Sequence, residues 1–165
     1  YSKAYPQGTG EQLYRRSLYT FWKRTVPSPM MKTLDAPERE LCTLKRSLTN
    51  TPLQSLLLLN GIQFVEAARQ MATQVLAQPL DSDQQRMEFA FRLATGRSPD
   101  ELESNILLDA LRQQNETFKK DSEAINNLLS VGDYPVDTTL NQTQLASWTA
   151  FCRILLNLDE TITKG

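Results

Sequence analysis

Histidine does not occur anywhere in this chain of 165 residues. Its absence removes Ser-His and Cys-His nucleophile activation, histidine metal ligation and the Cys-x-x-Cys-His attachment of haem from what these residues can do alone. Cysteine is nearly as scarce. Cys42 and Cys152 have neither metal-ligand spacing nor a Cys-x-x-Cys redox pairing, and a disulfide between them requires an oxidising compartment. Glycine is held to six residues, with no Gly-x-Gly-x-x-Gly or Walker-type run, so a glycine-rich phosphate cradle has no support. Long apolar runs are missing too. The longest, the leucines at 56–59, falls far short of the roughly 20 residues that span a bilayer, so no transmembrane helix is expected.

What is present fits one all-α domain over residues 1–165, with 40% hydrophobic content supporting a sizeable core. The chain opens on Tyr1 without a methionine, a basic leader or an apolar leader stretch, and reads as a piece of a longer protein. Charge is uneven along it. Residues 1–50 hold nine Lys/Arg against four Asp/Glu, whereas 51–165 hold nine against fifteen. That asymmetry suits either a basic segment packing on an acidic remainder or a surface for an acidic polymer. Nucleic acid ranks low as a partner, because the whole chain is slightly acidic.

Helix signals dominate from Thr51 onward, and residues 51–160 are expected to form an irregular bundle of five to six main helices. Thr51 suits an N-cap and Pro52 the first helical position, with Gly61 a stop or bend. Ile62, Val65, Ala68, Ala72, Val75 and Leu76 recur at helical spacing until Pro79. Met87, Ala90, Phe91 and Ala94 make the next stripe, closed by Gly96. Ser98-Pro99-Asp100-Glu101 combines an N-cap, a first-position proline and dipole-favoured acids, which account for Asp100, Glu101 and Glu103 better than acid/base catalysis does. Leu107, Leu111, Phe118, Ile125 and Leu129 follow at about seven-residue intervals, divisible at Asp121-Ser122. Residues 132–141 read as a loop. Leu145, Trp148, Cys152, Leu155 and Leu156 form a last stripe, and the polar tail after Glu160 is expected to fray. Asp81 and Asp83 open like a calcium loop, but the glycine and terminal glutamate that such a loop needs do not follow.

Residues 1–50 form an irregular basic and aromatic segment. Residues 14–24 read as either a helix or an extended segment, with the helix preferred because it would align Leu18, Phe21 and Trp22 with Tyr14, and Ser28-Pro29 and Ala36-Pro37 each suggest a short helical turn. Arg15, Arg16, Lys23 and Arg24 beside Tyr14, Tyr19, Phe21 and Trp22 suit either stacking on a ligand or structural pairing with Asp35 and Glu38. In residues 49–54, Thr51 and Pro52 explain themselves as a cap. Asn50 and Gln54 do not, and hydrogen bonding to the preceding loop is the expected role. Arg16, Arg24, Asp35, Arg39, Asn50 and Gln54 are therefore the candidate docking or ligand surface. No catalytic residue, metal site or resident cofactor is assigned.

Arg16-Ser17-Leu18-Tyr19, Lys23-Arg24, Asp35-Ala36-Pro37, Cys42, Arg46, Thr49-Asn50-Thr51-Pro52-Leu53-Gln54 and Leu58-Leu59-Asn60 resemble a planctomycete-type domain of unknown function. Gly96-Arg97-Ser98-Pro99 with Glu103, and Trp148 with residues 155–160, fit the same pattern, while Leu34, Lys45, Ser55 and Gly61 depart mildly from it. The resemblance implies the C-terminal part of a large exported bacterial protein, periplasmic or on the cell surface. Any haem would sit in a separate cytochrome c-like module of that protein. It implies no catalytic residues. Two readings follow: a non-catalytic helical module that packs against upstream domains of the same polypeptide through residues 16–54, or part of a polysaccharide-binding or polysaccharide-processing protein. In the second, Arg24, Asp35, Arg39 and Gln54 would line a cleft shared with the upstream region.

Overall fold

A computed structural model describes residues 5, 8–23, 26–37, 42–45 and 49–162. The described residues are all-helical, with no strand. Eight α-helices occur among them: α1 (Pro29–Thr33), α2 (Pro52–Asn60), α3 (Ile62–Leu76), α4 (Asp83–Thr95), α5 (Glu101–Lys120), α6 (Ser122–Leu129), α7 (Gln142–Leu156) and α8 (Asp159–Ile162). Six of these have eight or more residues, in line with the bundle expected from periodicity. The chain divides into two compact units, Tyr1–Leu57 and Leu58–Gly165.

In the second unit α7 is the central helix. It contacts α3, α4, α5, α6 and α8. Its sequence explains this position, since Leu145, Trp148, Phe151, Cys152 and Leu155 are all fully buried and small residues (Ala146, Ser147, Ala150) fill the face between them. Trp148 meets Phe151 edge to face at 5.5 Å, a geometry worth about 0.5–1.5 kcal/mol beyond burial. Ala68, Ala72 and Val75 of α3, Met87, Ala90 and Phe91 of α4, Leu107, Leu111 and Phe118 of α5, and Ile125 and Leu129 of α6 complete one continuous core.

The helix boundaries follow local chemistry. Ser82 caps α4 by accepting from the Gln85 N–H at 3.2 Å, and Gly96 ends that helix in the left-handed region at φ +84°. Asp121 ends α5 and caps α6, accepting from the Ala124 N–H at 2.9 Å, so the seven-residue rhythm is split where its sequence allowed.

Three sequence expectations are corrected. The helix expected to open on Ser98-Pro99 starts instead at Glu101, because Asp100 and Glu103 form a capping box that places Pro99 outside it. The expected helix over 14–24 is replaced, among its described residues, by 3₁₀ turns at Gly10–Tyr14 and Ser17–Tyr19. Thr20 accounts for part of this: its N–H and its hydroxyl both donate to Ser17 O, closing a three-residue turn. The tail after Glu160 does not fray at once, since Thr161 and Ile162 continue a helix, and residues 163–165 lie outside the described ones. Residues Asp159–Ile162 form α8, held by Arg97.

Candidate functional site

In the first unit a polar knot joins the end of α1 to the start of α2. After α1 the chain reverses at Asp35, whose φ of +58° lies in the left-handed region that aspartate tolerates better than most side chains. The reversal aims the carboxylate at residues 49–54. It accepts from the Thr49 N–H at 2.8 Å, from the Thr49 hydroxyl at 2.8 Å and from Gln54 Nε2 at 3.0 Å. Gln54 also donates to Thr49 Oγ1 at 3.0 Å, and its Oε1 accepts from the Thr51 N–H at 2.8 Å. The Thr51 hydroxyl in turn accepts from the Gln54 N–H at 3.3 Å. Thr51 and Gln54 are thus the two halves of a capping box on α2, and Gln54 is 7% exposed.

Of the six candidate residues, the structure brings Asp35 and Gln54 into direct contact. Asn50 is exposed on the chain between Thr49 and Thr51. Arg16 is exposed, and its carbonyl accepts from the Tyr19 N–H at 2.8 Å in the second 3₁₀ turn. Arg24 and Arg39 lie outside the described residues, as does Arg46. Tyr14, Leu18, Tyr19, Phe21, Leu44, Leu53 and Leu56 are all more than half exposed, whereas Met31 is the one buried hydrophobic residue described in this unit.

The second unit holds a buried clamp that sequence reasoning missed. Glu66 and Arg69 of α3 are each 1% exposed and lie 3.8 Å apart. Arg69 Nη1 donates to Leu129 O at 2.5 Å and Val131 O at 2.7 Å, and Nη2 to Tyr134 O at 2.6 Å. Glu66 Oε1 accepts from the Tyr134 N–H. Desolvating two charges costs several kcal/mol per ion, and this site offsets it by surrounding the guanidinium with backbone carbonyls that α6 and the following loop leave unpaired. Gly132, at φ +88°, makes the approach possible: a Cβ there would stand 2.9 Å from Glu66 Cδ and Oε1. The signal in the sequence was an i, i+3 pair of opposite charges set inside the apolar face of α3.

Two further arginines hold helix ends. Arg97 donates to Glu103 through Nη1 at 2.8 Å and Nη2 at 2.6 Å, and to Glu160 through Nε and Nη2 at 2.8 Å each, with its guanidinium 4.9 Å from the Phe91 ring centre. The Arg97 hydrogen bonds and the Asp100 N–H hold the Glu103 carboxyl at about 2, well below the usual range. Arg153 of α7 donates to Leu59 O at the end of α2 at 2.8 Å and 2.5 Å, and its own pKa is lowered by burial. Cys42 is an exposed free thiol and Cys152 a buried one whose pKa burial pushes up.

Chemically these sites bind backbone and one another. Among the described residues no three His, Cys, Asp or Glu side chains group as a metal would require, and no helix is long and apolar enough to cross a membrane. A shallow, open depression at the end of α5, lined by Gln113, Glu116, Thr117, Lys120 and Asp121, encloses no buried reactive group. Compared with known proteins, residues 1–111 match a family described as PSD1, Protein of unknown function (DUF1553), consistent with the domain of unknown function that the sequence resembles. Trp148 and residues 155–160 lie beyond the matched region. No curated protein and no solved structure matches the chain.

Proposed function

The chain belongs to the PSD1 family of proteins of unknown function (DUF1553), and from that premise we propose that it is a non-catalytic helical interaction module whose first unit docks on other domains of a large exported polypeptide. One observation carries the reading. The first unit leaves seven large hydrophobic side chains more than half exposed and buries a single one among its described residues, the reverse of a self-sufficient core. An α-helix that is apolar all round belongs in an interior, yet α2 presents Leu53 at 61% and Leu56 at 57% exposure. The Asp35–Thr49–Gln54 knot then serves to hold α2 in place for docking.

The polysaccharide alternative draws less support from the same residues, because Asp35 and Gln54 direct their polar atoms at each other and at Thr49. Export, and a haem module elsewhere in the polypeptide, remain part of the proposal on the strength of the resemblance. Hydrogen exchange on the full-length protein, with and without its remaining domains, tests docking. Backbone amides of residues 16–54 should gain protection in the complete protein. Equal exchange in both would remove the proposal, and binding on a glycan array abolished by Asp35→Ala would replace it with the polysaccharide reading.

A further inference from the structure

Asn60 and Gly61 form the chain's one Asn-Gly pair, and they stand at the junction where α2 ends and α3 begins. Asn60 is the last residue of α2 and is exposed. Gly61 is extended, at φ −65° and ψ 132°, and its carbonyl opens α3 by accepting from the N–H groups of Phe64 at 2.9 Å and Val65 at 3.0 Å. Its own N–H meets no acceptor among the described residues. Arg153 of α7 lies against this pair. Two bonds to Leu59 O, at 2.8 Å and 2.5 Å, fix its guanidinium, and from there Nη2 reaches Asn60 Oδ1 at 3.4 Å.

We infer that Asn60–Gly61 is a self-modifying site, at which the Gly61 nitrogen attacks the Asn60 side-chain amide and Arg153 stabilises the oxyanion that forms. The Gly61 N–Cγ bond forms as the Cγ–Nδ2 bond breaks, and Nδ2 leaves as ammonia with the Gly61 proton, giving a cyclic imide. Water then opens either imide carbonyl, leaving aspartate or isoaspartate at position 60. Three features favour the step. Glycine has no Cβ to obstruct ring closure, whereas each of the chain's other asparagines precedes a residue with a side chain. A backbone N–H without an acceptor gives up no hydrogen bond when it loses its proton. A donor fixed beside Oδ1 meets negative charge where it develops, and a contact that is long in the resting state tightens as that charge builds. The product carboxylate would pair with Arg153, which offsets the unfavourable placing of an anion at the C-terminal end of α2. Isoaspartate would also lengthen the main chain between α2 and α3 by one carbon.

The experiment incubates the full chain at mildly alkaline pH, folded and in urea, and follows position 60 by peptide mapping and mass spectrometry. Asn60 in the folded chain should convert at least as fast as in urea and ahead of every other asparagine. Arg153→Gln should slow the folded reaction about tenfold and leave the rate in urea unchanged. Arg153→Lys keeps the cation without the guanidinium fork and should fall between parent and Arg153→Gln, with circular dichroism showing that each variant is folded. Gly61→Ala should slow conversion in both states, which identifies the attacking nitrogen. Slower conversion of the folded parent than in urea would mean that the end of α2 shields Asn60, and equal folded rates for the parent and both Arg153 variants would mean that Arg153 takes no part. Either result overturns the proposal.

Discussion

Replacing Gly132 by alanine tests the clamp at its tightest point, and Gly96→Ala provides the control. Both glycines hold left-handed backbone, φ +88° and +84°, so each substitution incurs about 1–2 kcal/mol for placing a Cβ in that region. They differ in surroundings. Nothing lies within 4 Å of a Cβ at Gly96, whereas at Gly132 it would meet Glu66 Cδ and Oε1 at 2.9 Å and Glu66 Cβ at 3.2 Å. The end of a glutamate normally swings aside cheaply. Here it is buried, paired with Arg69 and accepting from the Tyr134 N–H, so moving it leaves a buried donor and a buried guanidinium less well satisfied, for about 1–3 kcal/mol more. Gly132→Ala should therefore destabilise by about 2–5 kcal/mol and Gly96→Ala by about 1–2 kcal/mol. Urea unfolding followed by the fluorescence of buried Trp148 reads the difference as a lower midpoint at unchanged slope. Equal losses in the two variants would show that Glu66 yields freely, and the clamp would then not be the tight element described above.

Gln54→Ala removes half of the α2 capping box together with the link to Asp35; a loss of about 1–2 kcal/mol is expected, seen first as faster amide exchange at Thr49 and Thr51, and unchanged exchange there would refute the knot. Glu103 titrates at about 2 when folded against an ordinary 4.5, so its contribution is complete above pH 4.5 and is lost as pH falls towards 2; carboxyl NMR should follow that midpoint, and Arg97→Met should return it towards the ordinary value. In the native protein a thiol reagent should modify Cys42 alone, with Cys152 reacting only after unfolding; rapid double labelling would contradict the burial of Cys152.

The sequence exposed local chemistry well and distant pairing poorly. Thr51-Pro52, Gly61, Gly96 and Asp121 each mark a helix boundary through the conformation or hydrogen bond that residue supplies within about four positions, and the structure places boundaries at all four. Ser98-Pro99 misled because two overlapping start signals compete, and the reciprocal bonds of Asp100 and Glu103 prevail over a proline that merely tolerates the first position. Residues 14–19 misled because aromatic spacing cannot distinguish a helix from successive 3₁₀ turns when little of the surface is buried. Glu66 and Tyr134 stand 68 positions apart, and Asp35 and Gln54 19 apart, so neither contact has a local signature. Periodicity finds the apolar face of α3. It cannot say that two charged residues on that face will be buried against a loop.

The placement of polar side chains bears on where function can lie. A helix leaves up to four carbonyls without partners at its C-terminal end, and a left-handed glycine is one common way to close it. This chain has six glycines and closes several ends with side chains instead. Arg69 reaches Leu129 O at the end of α6, Arg153 reaches Leu59 O near the end of α2, and Arg97 ties Glu103 at the start of α5 to Glu160 of α8. Arg69 and Arg153 cannot also be the free cations of a ligand site without releasing a backbone carbonyl, at about 1–3 kcal/mol for each buried one. Among the described residues the large apolar side chains that stay exposed include Leu18, Tyr19 and Phe21 with Leu53 and Leu56 in the first unit, and Tyr134 in the second, whose backbone is held by the same device that closes α6.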